Sequence, residues 1–151
     1  MKNYIKQLVS ILLIGIVVSA CGKGQTPIPT QSLDCQSPKE WKIDFSLSGG
    51  FAGLSRSLSI SSNGSAVAQD LRTGEKNVSV ISQDELKNIA GMLAEACPFE
   101  SKQTDGGCAD CFEYKLNILM DSKQYELRAS DVSIPERSAP LIEYLRSYAS
   151  K

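Results

Sequence analysis

The residues of this chain best suited to chemistry are its cysteines, because histidine is absent from the sequence. Cys108 and Cys111 form a Cys-Ala-Asp-Cys motif, whereas Cys35 and Cys97 lie far from it and from each other. A redox site needs its Cys-x-x-Cys motif at the start of a helix, but this motif leads into a predicted strand. A zinc site needs a second ligand pair of similar spacing, which the chain lacks. These four cysteines therefore predict structural disulfides rather than redox or zinc chemistry.

The pairing of the four cysteines is open, because four cysteines allow three connectivities. Our preference is a bond from Cys97 to Cys108 or Cys111, with Cys35 taking the remaining partner. Each bridge is expected to stabilise the fold by about 2–4 kcal/mol. Thiol chemistry at Cys108 and Cys111 is the most distant of the functional hypotheses.

Other catalytic chemistry is poorly represented in this sequence. Without histidine, most Ser-His-Asp and Cys-His arrangements and the common catalytic zinc sites are excluded. Carboxylates fall on polar strand faces or helix exteriors, where solvated charge is the ordinary interpretation. Gly49, Gly50 and Gly53 lie between two predicted strands and not before a helix, so they form no phosphate-binding motif. We predict a protein that is not an enzyme and has no cofactor, metal or small-molecule substrate. A formal net charge of −1 gives no support for nucleic-acid binding.

The N-terminal segment has the pattern of an export signal. Lys2 and Lys6 precede an apolar run, 8–18, that is shorter than the roughly 20 residues of a membrane-spanning helix. The Val-Ser-Ala-Cys that follows resembles the lipobox of bacterial lipoproteins, which implies cleavage before Cys21 and lipidation of that residue. By the sorting rules of that class, Gly22 implies the outer membrane or cell surface. We therefore expect an extracytoplasmic protein held at the membrane by lipid.

Composition divides the chain into three parts. The export signal covers 1–20. Residues 21–40, which begin with the lipidated cysteine, are polar and proline-rich without periodicity, as in a flexible tether. Residues 41–151 carry regular apolar patterns and are long enough for one independently folding domain.

The apolar patterns of this domain predict both strands and helices. A capping box from Ser82 to Glu85 begins a helix that Pro98 ends, and a second helix runs from about Ser138, with that serine as N-cap. Every strong strand has one polar face, so we predict an α+β fold: an antiparallel sheet of about 4–5 strands with two helices on one face. The short apolar run 78–81 is assigned to no element. Alternation predicts strands over 41–48, 54–61, 66–71, 111–121 and 124–129.

The segment 48–54, Ser-Gly-Gly-Phe-Ala-Gly-Leu, joins the first two strands in a predicted hairpin. Turns are normally polar because they face water, and glycine supplies their positive φ values. Phe51 and Leu54 are therefore unusual here and indicate a partner. Each has a competing explanation, since Phe51 can fold back onto the core above a glycine bulge and Leu54 can simply begin the second strand. Arg56 either fixes the turn through a carboxylate or is an ordinary edge charge.

Three stretches of the domain together resemble the emfourin family of protealysin inhibitors. They are 48–56, 109–118 and 125–145, with a capped helix between the first two, and Gly-Gly-Phe-Ala-Gly at 49–53 is the most specific part. The resemblance covers roughly residues 41–148 and implies a small antiparallel α+β domain that inhibits thermolysin-like metalloproteases. This chain departs from the short members in a strand segment around 63–71, in its four cysteines and in its lipid anchor.

The resemblance also implies which residues meet the partner. The expected partner is a protein, a thermolysin-like metalloprotease whose active-site cleft receives the hairpin loop. The alternative is an envelope or surface lipoprotein with a structural or protein-interaction role and no inhibitory activity. The implied inhibitory or partner-binding loop consists of Gly49, Gly50, Phe51, Ala52, Gly53 and Leu54, with Arg56 beside it.

Overall fold

The computed structural model describes residues 36–101 and 108–150. The predicted signal peptide, Cys21, Cys35 and most of the tether lie outside these ranges. Within them the strands are β1 (Trp41–Gly49), β2 (Leu54–Ser61), β3 (Ser65–Asp70), β4 (Lys76–Val80), β5 (Phe112–Met120) and β6 (Lys123–Ser130). The helices are α1 (Gln83–Ala96) and α2 (Ala139–Tyr148), the latter preceded by a 3-10 turn, Glu136–Ser138.

The strands form one antiparallel sheet in the order β4-β3-β2-β1-β5-β6. The predicted α+β fold is confirmed, with six strands instead of the expected 4–5. The difference is β4, which contains most of the apolar run 78–81 and pairs with β3, Val78 lying opposite Val67. Periodicity missed this strand because it is short and lies at the sheet edge, where both faces of β4 are largely exposed.

The core lies between one face of the sheet and the two helices. Alternate residues of β1 are buried, because successive side chains of a strand point to opposite faces. The helices add their apolar stripes to the same core. The buried residues include Trp41, Ile43, Phe45 and Leu47 of β1, Leu86, Ile89 and Leu93 of α1, and Leu141, Ile142 and Leu145 of α2.

The two helices begin in different ways. The predicted capping box of α1 is confirmed, since the backbone amide of Glu85 donates to the Ser82 hydroxyl and the Ser82 amide donates to the Glu85 carboxylate. Ser138 lies at the N-cap position of α2, as predicted, but its side chain does not cap the helix. The 3-10 turn leads directly into α2, so Ser138 has φ −92° and ψ −10° instead of an extended backbone, and its side chain makes no cap hydrogen bond. Neither helix in the described ranges is long and apolar enough to cross a membrane.

The cysteine pairing differs from the preferred one. Cys108 and Cys111 form a disulfide with each other, their Cα atoms 5.3 Å apart, so the expected bond from Cys97 to either of them is wrong. A turn just before β5 brings this closely spaced pair together, whereas Cys97 lies at the end of α1. Cys97 is also disulfide-bonded.

Candidate protein-binding site

One end of the sheet gathers several connecting segments and three exposed apolar side chains. The β1–β2 turn, the β3–β4 turn, the start of β5 and the end of β6 all lie there, because neighbouring strands are antiparallel. Phe51 is 96% exposed, Val132 61% and Leu71 50%. Large exposed apolar side chains at one end of a sheet make that end a candidate surface for binding another macromolecule.

Phe51 lies in a tight turn, Gly50–Gly53, which we call the Phe51 turn. The Gly53 amide donates to the Gly50 carbonyl at 2.9 Å and closes the turn. Gly49, Gly50 and Gly53 have φ values of +107°, +70° and +58°. These values are in the region that residues with a Cβ atom rarely adopt, so the glycines are required by the backbone and leave Phe51 as the one large side chain of the turn.

Strand β5 holds one side of the Phe51 turn. The Gly50 amide donates to the Cys111 carbonyl at 3.1 Å. A Cβ atom at Gly49 would lie 2.4 Å from that carbonyl oxygen, and one at Gly50 would lie 2.6 Å from the Phe112 ring. The absence of these two side chains therefore allows the turn to pack directly on the start of β5.

The β3–β4 turn holds the other side. Arg72 donates from Nη1 to the Ala52 carbonyl at 2.9 Å, with the Gly53 carbonyl at 3.5 Å. The Leu71 amide donates to the Ser55 carbonyl at 2.8 Å, next to the Phe51 turn. The backbone of the turn is thus fixed by Cys111, just before β5, and by the β3–β4 turn, while its aromatic side chain projects into solvent.

A polar network of side chains surrounds the start of β5, on which the Phe51 turn packs. The carboxylate of Asp131 accepts from the Phe112 amide at 2.8 Å and from the Tyr114 hydroxyl at 2.5 Å. The guanidinium of Arg146 donates to the Tyr114 oxygen at 3.3 Å and lies 5.0 Å from the centre of the Phe112 ring. The network therefore links α2 and the end of β6 to the residue on which Gly50 packs.

Two groups near this end of the sheet have shifted pKa values. Burial, followed by the hydrogen bond to Asp131 and its negative charge, raises the pKa of Tyr114 to about 12. The backbone amides of Thr73 and Arg72, which donate to the Asp70 carboxylate, lower the pKa of Asp70. At neutral pH Tyr114 is thus a hydrogen-bond donor and Asp70 a charged acceptor, as the observed bonds require.

The two remaining residues of the predicted site, Leu54 and Arg56, contact other parts of this domain. Leu54 is half-buried at the first position of β2 and is paired with Gly49. Arg56 lies further along β2 and donates to the Ala149 carbonyl at 3.5 Å, just beyond α2. The structure therefore brings Gly49–Leu54 together at one end of the sheet. The guanidinium of Arg56 instead bonds to the carbonyl that follows α2.

Sequence reasoning missed the residues that hold the Phe51 turn. Asp70 had a detectable signal, since an aspartate before a glycine-containing segment often accepts from amides two and three residues ahead. Arg72, Asp131 and Arg146 had none, because their partners lie 20, 19 and 32 positions away in the chain.

The described residues include no group of three or more His, Cys, Asp or Glu side chains that could hold a metal ion. The arrangement is suited to contact with a partner, since it combines an exposed aromatic side chain with a backbone already fixed by hydrogen bonds. No family model matches this chain, and no curated protein is significantly similar to it in sequence. The emfourin resemblance accordingly remains a prediction.

Proposed function

We propose that this protein is a lipid-anchored, non-enzymatic binding domain that inhibits a thermolysin-like metalloprotease by inserting the Gly49–Leu54 loop into its active-site cleft. One observation carries the proposal: Phe51 is 96% exposed on a turn whose backbone is hydrogen-bonded to Cys111, just before β5, and to Arg72 of the β3–β4 turn. An isolated aromatic side chain held in this way has nothing to pack against within the described domain.

The energetics of such a contact depend on Phe51 and on the fixed backbone. Thermolysin-like sites favour a large apolar side chain just after the scissile bond, so they offer a pocket for Phe51. Burying one such side chain contributes about 1.5–3 kcal/mol. The hydrogen bonds to Cys111 and Arg72 lower the ordering cost of binding, because the turn need not be immobilised by the partner.

The anchor defines where the inhibitor acts. Cys21 carries the lipid and residues up to about 40 form the tether, so the domain meets proteases outside the cytoplasm and close to the membrane. Its targets are extracellular or envelope metalloproteases, and the inhibitor protects neighbouring surface proteins from them.

Titration against thermolysin tests the proposal. The mature chain, purified in mild detergent, is added in increasing amounts while cleavage of a fluorogenic peptide is followed. We expect stoichiometric loss of activity and an affinity about ten- to 150-fold weaker for Phe51→Ala, the equivalent of about 1.5–3 kcal/mol. Leu119→Ala is the matched control, since Leu119 is an exposed apolar residue near the opposite end of the sheet. Undiminished activity across a panel of thermolysin-like enzymes would overturn the proposal.

A second candidate function is a structural or protein-interaction role in the envelope, and the exposed sheet edge favours it. Strand β4 ends the sheet without a further strand in the described ranges, and Val78 and Val80 are 72% and 86% exposed. At the other edge, Ser101 accepts from the Arg128 amide of β6. An open edge can accept a strand from a partner. If the chain has this function, an envelope protein should copurify with it. Replacing Val78 and Val80 together by lysine should abolish this copurification, whereas Phe51→Ala should leave the partner bound.

A further inference from the structure

An exposed phenylalanine in a loop is a good substrate for many proteases, so a loop that blocks a protease must resist cleavage. If Phe51 occupies the pocket after the scissile bond, the bond at risk is Gly50–Phe51. A metalloprotease cleaves such a bond by polarising the carbonyl that precedes it, here the carbonyl of Gly50. This step requires the carbonyl to be accessible and the segment to be extended across the cleft.

The Phe51 turn meets neither requirement. The Gly50 carbonyl accepts from the Gly53 amide at 2.9 Å, and the Gly50 amide donates to Cys111. Gly50 and Gly53 both have positive φ values, which fold the segment back on itself. Cleavage therefore needs the turn to open first, so that its rate depends on how often the open form occurs.

Arg72 is the side chain best placed to prevent this opening. Its Nη1 atom bonds to the Ala52 carbonyl within the turn. Its own backbone is fixed, since the Arg72 amide donates to Asp70 at 2.8 Å and the preceding amide, of Leu71, donates to Ser55. The same Nη1 atom lies 3.5 Å from the Gly53 carbonyl, and the planar guanidinium is more rigid than a lysine ammonium, which is a compact charge on a flexible stem.

We propose that Arg72 is a positioning residue that locks the Phe51 turn closed, so that a protease binds Phe51 but cleaves the turn slowly. The inference rests on the proposed function for the identity of the protease, while the lock itself is a property of this chain. Removing Arg72 leaves the β1–β2 pairing in place but releases the Ala52 carbonyl, so that the Gly50–Gly53 bond opens more often.

The test measures cleavage within the turn in the full chain. The wild type and Arg72→Ala are incubated separately with thermolysin and with chymotrypsin, which cleaves after phenylalanine. Mass spectrometry follows the products cut at Gly50–Phe51 and at Phe51–Ala52. Because one exposed hydrogen bond is lost, we expect each cleavage rate to rise about two- to tenfold in Arg72→Ala. Arg72→Lys is expected to restore part of the resistance, since an ammonium can still reach one carbonyl.

Arg128→Ala is the matched control, because Arg128 is an exposed arginine paired with Glu126 on β6, away from the turn. It should leave cleavage at Phe51 unchanged. Equal cleavage of wild type and Arg72→Ala within the turn would overturn the lock. A rise at every cleavage site of the chain alike would overturn it too, since this indicates general loosening of the domain.

The two enzymes separate this inference from the proposed function. If the wild type does not inhibit thermolysin but chymotrypsin cuts Arg72→Ala faster at Phe51–Ala52, the lock stands and the proposed function fails. If the wild type inhibits thermolysin and both chains are cut within the turn at the same rate, inhibition stands and the lock is wrong.

Discussion

The two turns that flank strand β2 are both hydrogen-bonded to neighbouring segments, but only one of them also has a polar side chain that stabilises its own backbone. In the turn after β2, residues 62–64, Asn63 accepts from the Ser61 hydroxyl at 2.7 Å and from the Ser65 amide at 2.9 Å. The Ser62 amide of this turn also donates to the Trp41 carbonyl, and the Ile81 amide donates to the Gly64 carbonyl, each at 2.9 Å. We call residues 62–64 the Asn63 turn. The Phe51 turn before β2 has no polar side chain of its own; besides the Gly53–Gly50 bond, it is held by Cys111, just before β5, and by Arg72 of the β3–β4 turn.

This difference shows how a turn becomes available to a partner. The Asn63 side chain is used within its own turn, so adjacent residues determine part of the conformation of that turn. A turn held through its backbone by other segments leaves its side chains unused, so Phe51 can project without loss of order. The conformation of the Phe51 turn then depends on residues far away in the chain, and substitutions at either turn should have different consequences.

The largest expected effect comes from the contact between the Phe51 turn and β5. In Gly49→Ala the new methyl group would meet the Cys111 carbonyl at 2.4 Å, at a φ of +107°. We expect the free energy of unfolding to fall by about 2–6 kcal/mol, from about 1–3 for backbone strain and about 1–3 for overpacking. Urea denaturation followed by circular dichroism measures this loss.

Gly53→Ala is the matched control, because a Cβ at Gly53 has no atom within 4 Å and φ is +58°. Only the left-handed strain of about 1–2 kcal/mol remains there. Equal losses in the two variants would show that packing against Cys111 does not hold the turn.

A smaller effect on stability is expected from the network of Asp131, Tyr114 and Arg146 at the start of β5. Tyr114→Phe removes the hydrogen bond to Asp131 and should lower the free energy of unfolding by about 1.5–3 kcal/mol, the range for bonds to charged groups. The raised pKa of Tyr114, about 12 against an ordinary value of 10, also predicts a pH dependence. The stabilisation is complete below pH 10, where the phenol is protonated in both folded and unfolded chains, and it is lost as pH rises to about 12.

Denaturation of both chains between pH 8 and pH 12 tests this dependence. The free energy of unfolding of the wild type should fall towards that of Tyr114→Phe above pH 10, because lysines and the other tyrosines titrate in both chains and cancel in the difference. A constant difference across this range would contradict the role given to the Tyr114 proton.

Local signals in the sequence were sufficient to predict most of the fold. Alternation located β1, β2, β5 and β6, and the capping box located the start of α1. These signals work because each depends on residues within one element. The edge strand β4 escaped them, since a strand with little burial has no apolar alternation to detect.

The candidate site was only half predictable for the same reason. The three glycines and Phe51 are adjacent in the chain, so the turn and its unusual apolar residue were evident from the sequence. The residues that fix the turn come from β5, the β3–β4 turn and α2, and only the register of the sheet brings them together. The Cys108–Cys111 bond was missed because spacing alone cannot choose among the possible pairings.

The smallest expected effects separate the two turns most directly. Asn63→Ala removes both acceptor bonds of the Asn63 turn and should lower the free energy of unfolding by about 0.5–1.5 kcal/mol, since the turn is exposed to solvent. Because this turn lies at the opposite end of β2 from Phe51, inhibition of thermolysin should be unchanged. Phe51→Ala should do the reverse, leaving stability within about 0.5 kcal/mol of the wild type and weakening inhibition. Urea denaturation and enzyme titration are carried out on both variants. A loss of stability in Phe51→Ala equal to that in Asn63→Ala would mean that Phe51 supports its own domain. The contrast between a side chain that stabilises its own turn and a side chain that is available to a partner would then fail.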